Sequence, residues 1–322
     1  MKQNIVRLKD IADKVGVSTN TVSRALKDAK DISTNLKIKI KRIANEMGYI
    51  PNNISDYMRG NKTDLVGIVI GSLTNPFYTI STNKLLQRLQ DKGFLPLIMV
   101  SNNNHFDFDL FTKLMINRVC GIVSFCKVDD NVASFCVEKQ IPLVMVGISI
   151  INPKVSSVNI NDFSFGKKIG EECLKSNAKR PCYIGSKDMD ISIFRYNGFV
   201  ETIGVKYALI DDYHCEFKNR DQVREEIAHD IVSNGNDFIF CFNDEIASFI
   251  IEVLEEINYK DYQIYGVDAI SRCLPICRKI NSVGYHYGEL IEAALDILIE
   301  QVSDYENAKI RHVLFDPIVF TY

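Results

Sequence analysis

The chain of 322 residues contains no tryptophan, and it has only eight prolines and seventeen glycines. No run of about 18 apolar residues occurs, so we expect no membrane span, and no apolar stretch follows the basic start, so we expect no signal peptide. Nine cysteines, scattered singly, favour buried thiols in a reducing cytoplasm over a disulfide framework. Cys273 and Cys277 lie four residues apart, but no His/Cys cluster completes a zinc pattern, so we expect neither a metal nor a cofactor.

Charge is distributed unevenly along the chain. The whole chain has a net charge of −3, whereas residues 1–62 contain thirteen Lys or Arg and six Asp or Glu, a net charge of +7. The remainder therefore carries −10. A basic head on an acidic body is the electrostatics expected of a protein whose head meets phosphate.

The most informative segment is Leu8 to Leu26, which reads as two short amphipathic helices joined by a tight turn. Gly16 suits the turn because glycine tolerates positive φ, and Ser18 suits the N-cap of the second helix. The apolar residues face inward at helical spacing, and the outward face of the second helix is polar. This pattern predicts a helix-turn-helix whose second helix enters the major groove of DNA.

A third helix is predicted from about Thr34 to Met47, with Ser33 or Thr34 as its cap; Gly48 stops it and Pro51 prevents its continuation. A short polar stretch follows. We therefore divide the chain into a helix-turn-helix domain at 1–50, a hinge at 51–62 and a core at 63–322.

From Leu65 onward, near-continuous apolar strands alternate with helical stretches, which is typical of parallel sheets covered on both faces. The predicted strands are 65–71, 95–101, 119–125, 141–147 and 155–160, then 181–186, 213–217, 238–243, 264–267 and 280–284. The predicted helices include 78–92, 107–117, 165–176, 193–203, 221–234 and 244–257. The fold class is thus a small all-α head plus an α/β core of two parallel-sheet subdomains, the first at about 63–160 and 285–308, the second at about 161–284 and 309–322. A ligand is expected in the cleft at the carboxyl ends of the strands.

These segments resemble the lactose/galactose repressor (LacI/GalR) family of bacterial transcription regulators over essentially the whole chain. The resemblance rests on the motifs VSTNTVSRAL, GYIPN, LVGIVIGSLTNPFY, RYNGF, FNDEIA and YGVD, which occur in the family's order. It implies a core like periplasmic sugar-binding proteins, a homodimer on a palindromic double-stranded operator, and a small sugar or sugar phosphate as effector. No long heptad tail follows the core, which favours a dimer over a tetramer.

The resemblance implies that Thr19 and Asn20 read base edges and that Arg24 is a further base or phosphate contact. Their chemistry agrees, because Asn pairs with adenine, Arg with guanine, and the Thr methyl with thymine. Plausible phosphate contacts are Ser18, Thr21, Ser23, Asn35, Tyr49 and Asn52. For Thr21 and Ser23 the alternative is helix surface or local capping, and for Tyr49 and Asn52 it is packing of the hinge.

In the hinge, Met58 occupies the family's lever position, where an apolar side chain wedges into a base step from the minor groove. The alternative is a packing contact within the hinge. Ser55 stands where the family usually has Ala and completes the predicted minor-groove contacts. Asp56 would be repelled by the groove if it faced it.

By the same resemblance, nine residues are expected at the effector site: Phe77, Tyr78, Asp162, Phe163, Arg195, Asn243, Asp268, Tyr285 and Tyr287. Carboxylate, amide and guanidinium groups suit the hydroxyls of a sugar. For Arg195 and Asp268 the alternative is a structural ion pair, and Asp244 is expected to cap the next helix. Gly147 departs from the family, which usually has Asp or Arg there.

The first hypothesis is a ligand-responsive repressor of a carbohydrate-utilisation operon. The second keeps the DNA-binding architecture under control of a protein partner, or without any effector. An enzyme is the third, and no nucleophile–base pair, phosphate-binding loop or metal cluster supports it.

Overall fold

The computed structural model describes residues 6–49, 63–148, 152–185, 190–204, 206, 211–214 and 226–322. The contacts divide the chain into two compact units, Met1–Asn61 and Lys62–Tyr322. The predicted hinge at 51–62 lies outside the described residues. Within the described ranges, every helix is too short or too polar to span a lipid bilayer.

In its described residues, 6–49, the first unit is a head of three helices, α1 (Leu8–Val15), α2 (Thr19–Leu26) and α3 (Thr34–Glu46). Gly16 ends α1 with φ 81°, as the sequence predicts. The three helices meet in one core that buries Ile11, Val22, Ile40 and their neighbours. The helix-turn-helix prediction is confirmed, and α3 ends one residue before its predicted end.

The second unit contains fourteen strands and nine helices in its described parts. The strands are β1 (Leu65–Ile70), β2 (Leu95–Val100), β3 (His105–Phe106), β4 (Gly121–Ser124), β5 (Lys127–Val128), β6 (Leu143–Val146), β7 (Ser156–Ile160), β8 (Pro181–Gly185), β9 (Asp211–His214), β10 (Phe238–Cys241), β11 (Gln263–Val267), β12 (Asn281–Gly284), β13 (His312–Phe315) and β14 (Ile318–Phe320). The helices are α4 (Pro76–Asp91), α5 (Phe108–Ile116), α6 (Asp130–Glu138), α7 (Asp162–Ser176), α8 (Asp190–Ile203), α9 (Ala228–Asn234), α10 (Asp244–Glu256), α11 (Ile270–Cys273) and α12 (Tyr287–Ser303).

The first subdomain is built on a parallel six-stranded sheet in the order β13–β7–β6–β4–β1–β2. Successive side chains of a strand point to opposite faces, so Ile68 packs with α4 and α12 while Val69 packs with α5 and α6. Burial on both faces explains why these strands are apolar throughout.

The second subdomain has a six-stranded sheet in the order β14–β12–β11–β10–β8–β9, with only β14 antiparallel to its neighbour. One face packs on α7 and α8, and the other on α9 and α10. The prediction of two sheet-based subdomains is confirmed.

Helices α7 and α8 pack unusually closely because glycines lie at their contact. A Cβ atom on Gly166 would lie 1.9 Å from the carbonyl oxygen of Arg195, and one on Gly198 would lie 2.0 Å from that of Phe163. No side chain fits at either position. This close approach places the start of α7 beside the first turns of α8.

The C-terminal segment corrects the predicted subdomain boundaries. Residues 309–322 were assigned to the second subdomain, but β13 pairs with β7 in the first sheet, and only β14 joins the second. His312 Nδ1 lies 2.9 Å from Ser157 Oγ at this added edge. The last crossing between the subdomains therefore lies between β13 and β14, later in the chain than the predicted position after residue 308.

Several boundaries also shift. Helix α4 begins at Pro76 rather than Tyr78, because Asn75 caps it and proline suits its first position. Helix α7 begins at Asp162 rather than Phe165, capped by Asn161. The predicted strand 213–217 is β9 at Asp211–His214, and the predicted helix 221–234 is described only as α9; residues 215–225 lie outside the described residues.

Candidate functional site

The outward face of α2 is polar and exposed. Thr19 and Asn20 are exposed in its first turn. Ser18 Oγ accepts the backbone N–H of Thr21 at 3.1 Å and lies 2.9 Å from Thr21 Oγ1. Ser18 is therefore the predicted N-cap, and its bonds to Thr21 match the capping alternative for that residue. Capping holds Thr19 and Asn20 at the end of a defined helix.

Arg24 also lies on this exposed side of the head. Its Nη2 is 2.6 Å from Asp31 Oδ2, and both side chains are half exposed. Exposed ion pairs contribute little to stability, so Arg24 can exchange this partner for a base or a phosphate at small cost.

The remaining predicted DNA contacts differ from one another in solvent exposure. Asn35 is exposed in the first turn of α3, whereas Ser23 is half-buried. Tyr49 is partly buried against the core of the head, in line with the packing alternative. The predicted contacts Asn52, Ser55 and Met58 lie outside the described residues.

A cleft of about 260 Å³ lies between the two subdomains of the core. It is lined from the ends of strands of both sheets, as expected for parallel sheets. The lining residues are Asn75, Phe77, Tyr78, Asn103, Asn104, His105, Phe125, Lys127, Gly147, Ile148, Ile160, Asp190, Ile191, Arg195, Phe242, Asn243 and Asp268. Five of the nine predicted effector residues are among them, namely Phe77, Tyr78, Arg195, Asn243 and Asp268.

Arg195 is the buried cation of this cleft. Its Nε donates to Asp162 Oδ1 at 2.7 Å and its Nη1 donates to the carbonyl oxygen of Phe242 at 2.6 Å. The guanidinium also lies over the Phe242 ring, 4.8 Å from its centroid. A guanidinium has five N–H groups, and Nη2 donates to no described residue. Arg195 is thus both half of a buried ion pair and a donor to the cleft.

Asp268 follows β11 in a conformation rare for a residue with a side chain, with φ 99°. Burial, opposed by the charge of Arg195, raises the pKa of its carboxyl to about 6. The Tyr287 hydroxyl donates to the Asp268 carbonyl oxygen at 3.1 Å and so helps to hold this backbone in place.

At the start of α10, Asn243 takes the capping role predicted for Asp244 and also lines the cleft. Asn243 Oδ1 accepts the N–H of Ile246 at 2.9 Å, so Asn243 and not Asp244 is the cap. Asp244 is buried and accepts from Ser282 Oγ at 2.6 Å and from the Ile270 N–H at 2.8 Å. The amide NH2 group of Asn243 remains for the cleft.

Phe77 and Gly147 explain one departure from the family pattern. Gly147 has φ 71°, and a Cβ on it would lie 2.7 Å from Phe77 Cζ. The Phe77 ring therefore occupies the space that an Asp or Arg side chain would use. It packs edge-on to Tyr78 and Phe125, with ring centroids 5.1 and 6.1 Å away, and forms an apolar wall.

Four predicted effector residues do not line the cleft. Asp162 is buried behind Arg195 as its partner. Phe163 lies under Lys167, whose Nζ is 5.7 Å from the ring centroid. Tyr285 and Tyr287 are buried beside each other, with ring centroids 4.7 Å apart. Asp162 and Tyr287 hold two residues that do line the cleft, since Asp162 pairs with Arg195 and the Tyr287 hydroxyl donates to the Asp268 carbonyl oxygen.

Sequence reasoning missed the polar residues that the first subdomain contributes. Asn103 and Asn104 follow β2, and Lys127 lies on the two-residue strand β5, which pairs with β3. Asp190 at the start of α8 was also missed. The run of three asparagines at 102–104, just after a predicted strand, was the available signal.

Comparison with known proteins identifies the head. Residues 7–52 match the family model described as bacterial regulatory proteins, lacI family. The head therefore carries a DNA-binding domain of the LacI type. The chain is 23% identical to the sucrose operon repressor of Lactococcus lactis, over 99% of both chains.

Two solved structures extend the comparison to the core of the chain. A LacI-family regulator from Silicibacter pomeroyi matches with a TM-score of 0.80, 21% identity and 98% coverage of both chains. A LacI-family regulator from Enterococcus faecium with bound ribose matches with a TM-score of 0.70 and 18% identity, over 80% of this chain and 97% of that one. At such identities the likeness establishes the fold.

Proposed function

We propose that this protein is a sequence-specific DNA-binding transcriptional repressor of a carbohydrate-utilisation operon, acting in the cytoplasm as a homodimer on a palindromic operator. The observation that carries the proposal is the exposed polar face of α2, with Thr19 and Asn20 on a capped first turn, inside the segment that matches the LacI model. The sucrose operon repressor of L. lactis supports the regulatory role.

On the operator, α2 lies in the major groove. Asn20 pairs with adenine and Arg24 with guanine, while the Thr19 methyl group meets thymine. Ser18, Thr21, Ser23 and Asn35 contact phosphates, which position the head without specifying sequence. For Tyr49, Asn52, Ser55 and Met58, contacts in and beside the minor groove remain predictions.

In the core, a small effector with hydroxyl groups binds the cleft between the subdomains. Arg195, Asn243 and Asp268 approach it from the second subdomain, and Phe77 and Tyr78 form the wall on the first. A ligand that touches both walls favours one arrangement of the subdomains over another. The effect of the ligand on operator affinity is limited by the difference between its affinities for these arrangements.

An alternative is the same DNA-binding architecture controlled by a protein partner, or by no effector. The observation that favours it is the Phe77 ring above Gly147, which takes space that a ligand-binding side chain would use. Ligand-dependent thermal stabilisation separates the two, because a bound effector raises the melting temperature by mass action.

The experiment is fluorescence anisotropy of the purified protein with DNA from upstream of its own gene, with and without sugars and sugar phosphates. We expect salt-sensitive binding that falls when one compound is added. Binding no tighter than to a scrambled duplex would refute the DNA-binding role. Specific binding that ignores every compound would favour the alternative.

A further inference from the structure

Beside its apolar wall, the first subdomain presents a set of hydrogen-bond donors to the cleft. Three side chains of the first subdomain, Asn75, Asn103 and Lys127, line the cleft without a described partner for their nitrogen atoms. We call these three residues the donor lip. They come from separate loops, after β1, after β2 and at β5, and the pairing of β3 with β5 helps to set their spacing.

The orientation of the two amides follows from their bonds to the backbone. Asn75 Oδ1 accepts the N–H of Phe77 at 2.9 Å, and Asn103 Oδ1 accepts the N–H of His105 at 3.1 Å. A backbone N–H can only donate, so each amide is oriented with its oxygen towards the backbone. The NH2 groups are what Asn75 and Asn103 can offer to a ligand.

Lys127 adds a positive charge to the lip. Its side chain is exposed and makes no ion pair with any described residue. The nearby carboxylate of Asp129 has another partner, since its Oδ1 lies 3.0 Å from His105 Nδ1.

The opposite wall has the complementary chemistry. Asp268 and Asp190 contribute carboxylates from the second subdomain, and the charge of Arg195 is balanced by Asp162. The two walls therefore differ in charge: the first subdomain contributes donors and the cation Lys127, and the second contributes two carboxylates beside the donors of Arg195 and Asn243. Lys127 makes no ion pair with any described residue, so an anionic group on the ligand would supply a direct counter-charge to its ammonium once water is excluded.

We propose that the effector carries an anionic group, a phosphate or a carboxylate, which binds the donor lip while its hydroxyl groups bind Asp268 and Arg195. This inference rests on the proposed function, because it takes the cleft as the effector site. Charge-assisted hydrogen bonds to phosphate or carboxylate are stronger than those to a neutral hydroxyl, so the lip selects charged sugars over uncharged ones.

The test is isothermal titration calorimetry of the full chain with matched probes: ribose and ribose 5-phosphate, glucose, glucose 6-phosphate and gluconate, and inorganic phosphate alone. We expect at least one charged sugar to bind about tenfold or more tightly than its neutral partner. Lys127→Gln should reduce this ratio of charged-sugar to neutral-sugar affinity about tenfold. Lys113→Gln, which changes an exposed lysine outside the cleft, is the matched control and should change nothing.

Three results would overturn the proposal. The first is equal affinity for charged and neutral members of every pair, and the second is no binding by any charged probe, including millimolar phosphate. The third is that Lys127→Gln and Asp190→Asn weaken the binding of neutral sugars equally. That result would mean that Lys127 and Asp190 form an ion pair across the cleft. Operator binding of the ligand-free protein is measured in parallel, so failure of the DNA-binding role is distinguishable from failure of this one.

Discussion

The buried ion pair between Asp162 and Arg195 gives the sharpest test of how the cleft is held together. Their side chains are 1% and 6% exposed, and Arg195 Nε donates to Asp162 Oδ1 at 2.7 Å. Replacing Asp162 by Ala leaves a buried guanidinium without its partner. Loss of one member of a buried pair costs about 3–5 kcal/mol. At about 2–4 °C per kcal/mol for a domain of this size, the lower bound corresponds to a fall of about 6–12 °C in melting temperature.

The assay is thermal and urea unfolding of the full chain followed by circular dichroism. Glu171→Ala is the matched control on the same helix, because it removes an exposed pair with Lys168 at 3.3 Å, and such pairs contribute at most about 1 kcal/mol. The double variant Asp162→Ala with Arg195→Leu should lose clearly less stability than the sum of the two single variants, because no unpaired charge remains. The reasoning is refuted if Asp162→Ala is no more harmful than Glu171→Ala, or if the two effects simply add.

Three further predictions concern the head, the titration of the cleft and its apolar wall. Asn20→Ala should weaken operator binding by about 1–3 kcal/mol and leave binding to a scrambled duplex unchanged, because an adenine loses a bidentate partner; anisotropy with both duplexes measures this. Burial raises the pKa of Asp268 to about 6 from its usual 3.8, so the folded chain holds this proton more tightly than the unfolded chain. That contribution to stability is present at low pH and is lost as pH rises from about 4 to about 6; Asp268→Asn should remove this loss in melting curves recorded across that range. Gly147→Ala should destabilise the core by about 1–2 kcal/mol, because φ is 71° and the new Cβ would lie 2.7 Å from Phe77 Cζ; an unchanged melting temperature would contradict it.

The head and the sheets were predictable because their signals are local. Helices α1 and α2 follow from helical spacing, a glycine turn and a serine cap, all within 19 residues. Strands such as β1 and β10 are apolar throughout, which parallel sheets covered on both faces require. Each of these signals is complete within one element, so it needs no knowledge of the rest of the chain.

The course of the C-terminal segment was not predictable in the same way. Alternate residues of β13 are exposed. The sequence of such a short, half-exposed strand does not indicate which sheet edge it joins. Its partner β7 lies about 155 residues earlier, as the contact between Ser157 and His312 illustrates. Pairing over such a distance is decided by packing of the whole core.

The same distinction separates the two walls of the cleft. On the second subdomain, Arg195, Asn243 and Asp268 were found through the family motifs that contain them. On the first, the donor lip depends on the ladder between β3 and β5, which is only two residues long and therefore too short to show a period. The wall that the motifs mark is held by the buried pair between Asp162 and Arg195, whereas the lip is a partly exposed set of donors. Differences in effector chemistry between this chain and its relatives should therefore arise mainly from Asn103 and Lys127, which are exposed, whereas Asn75 also caps α4.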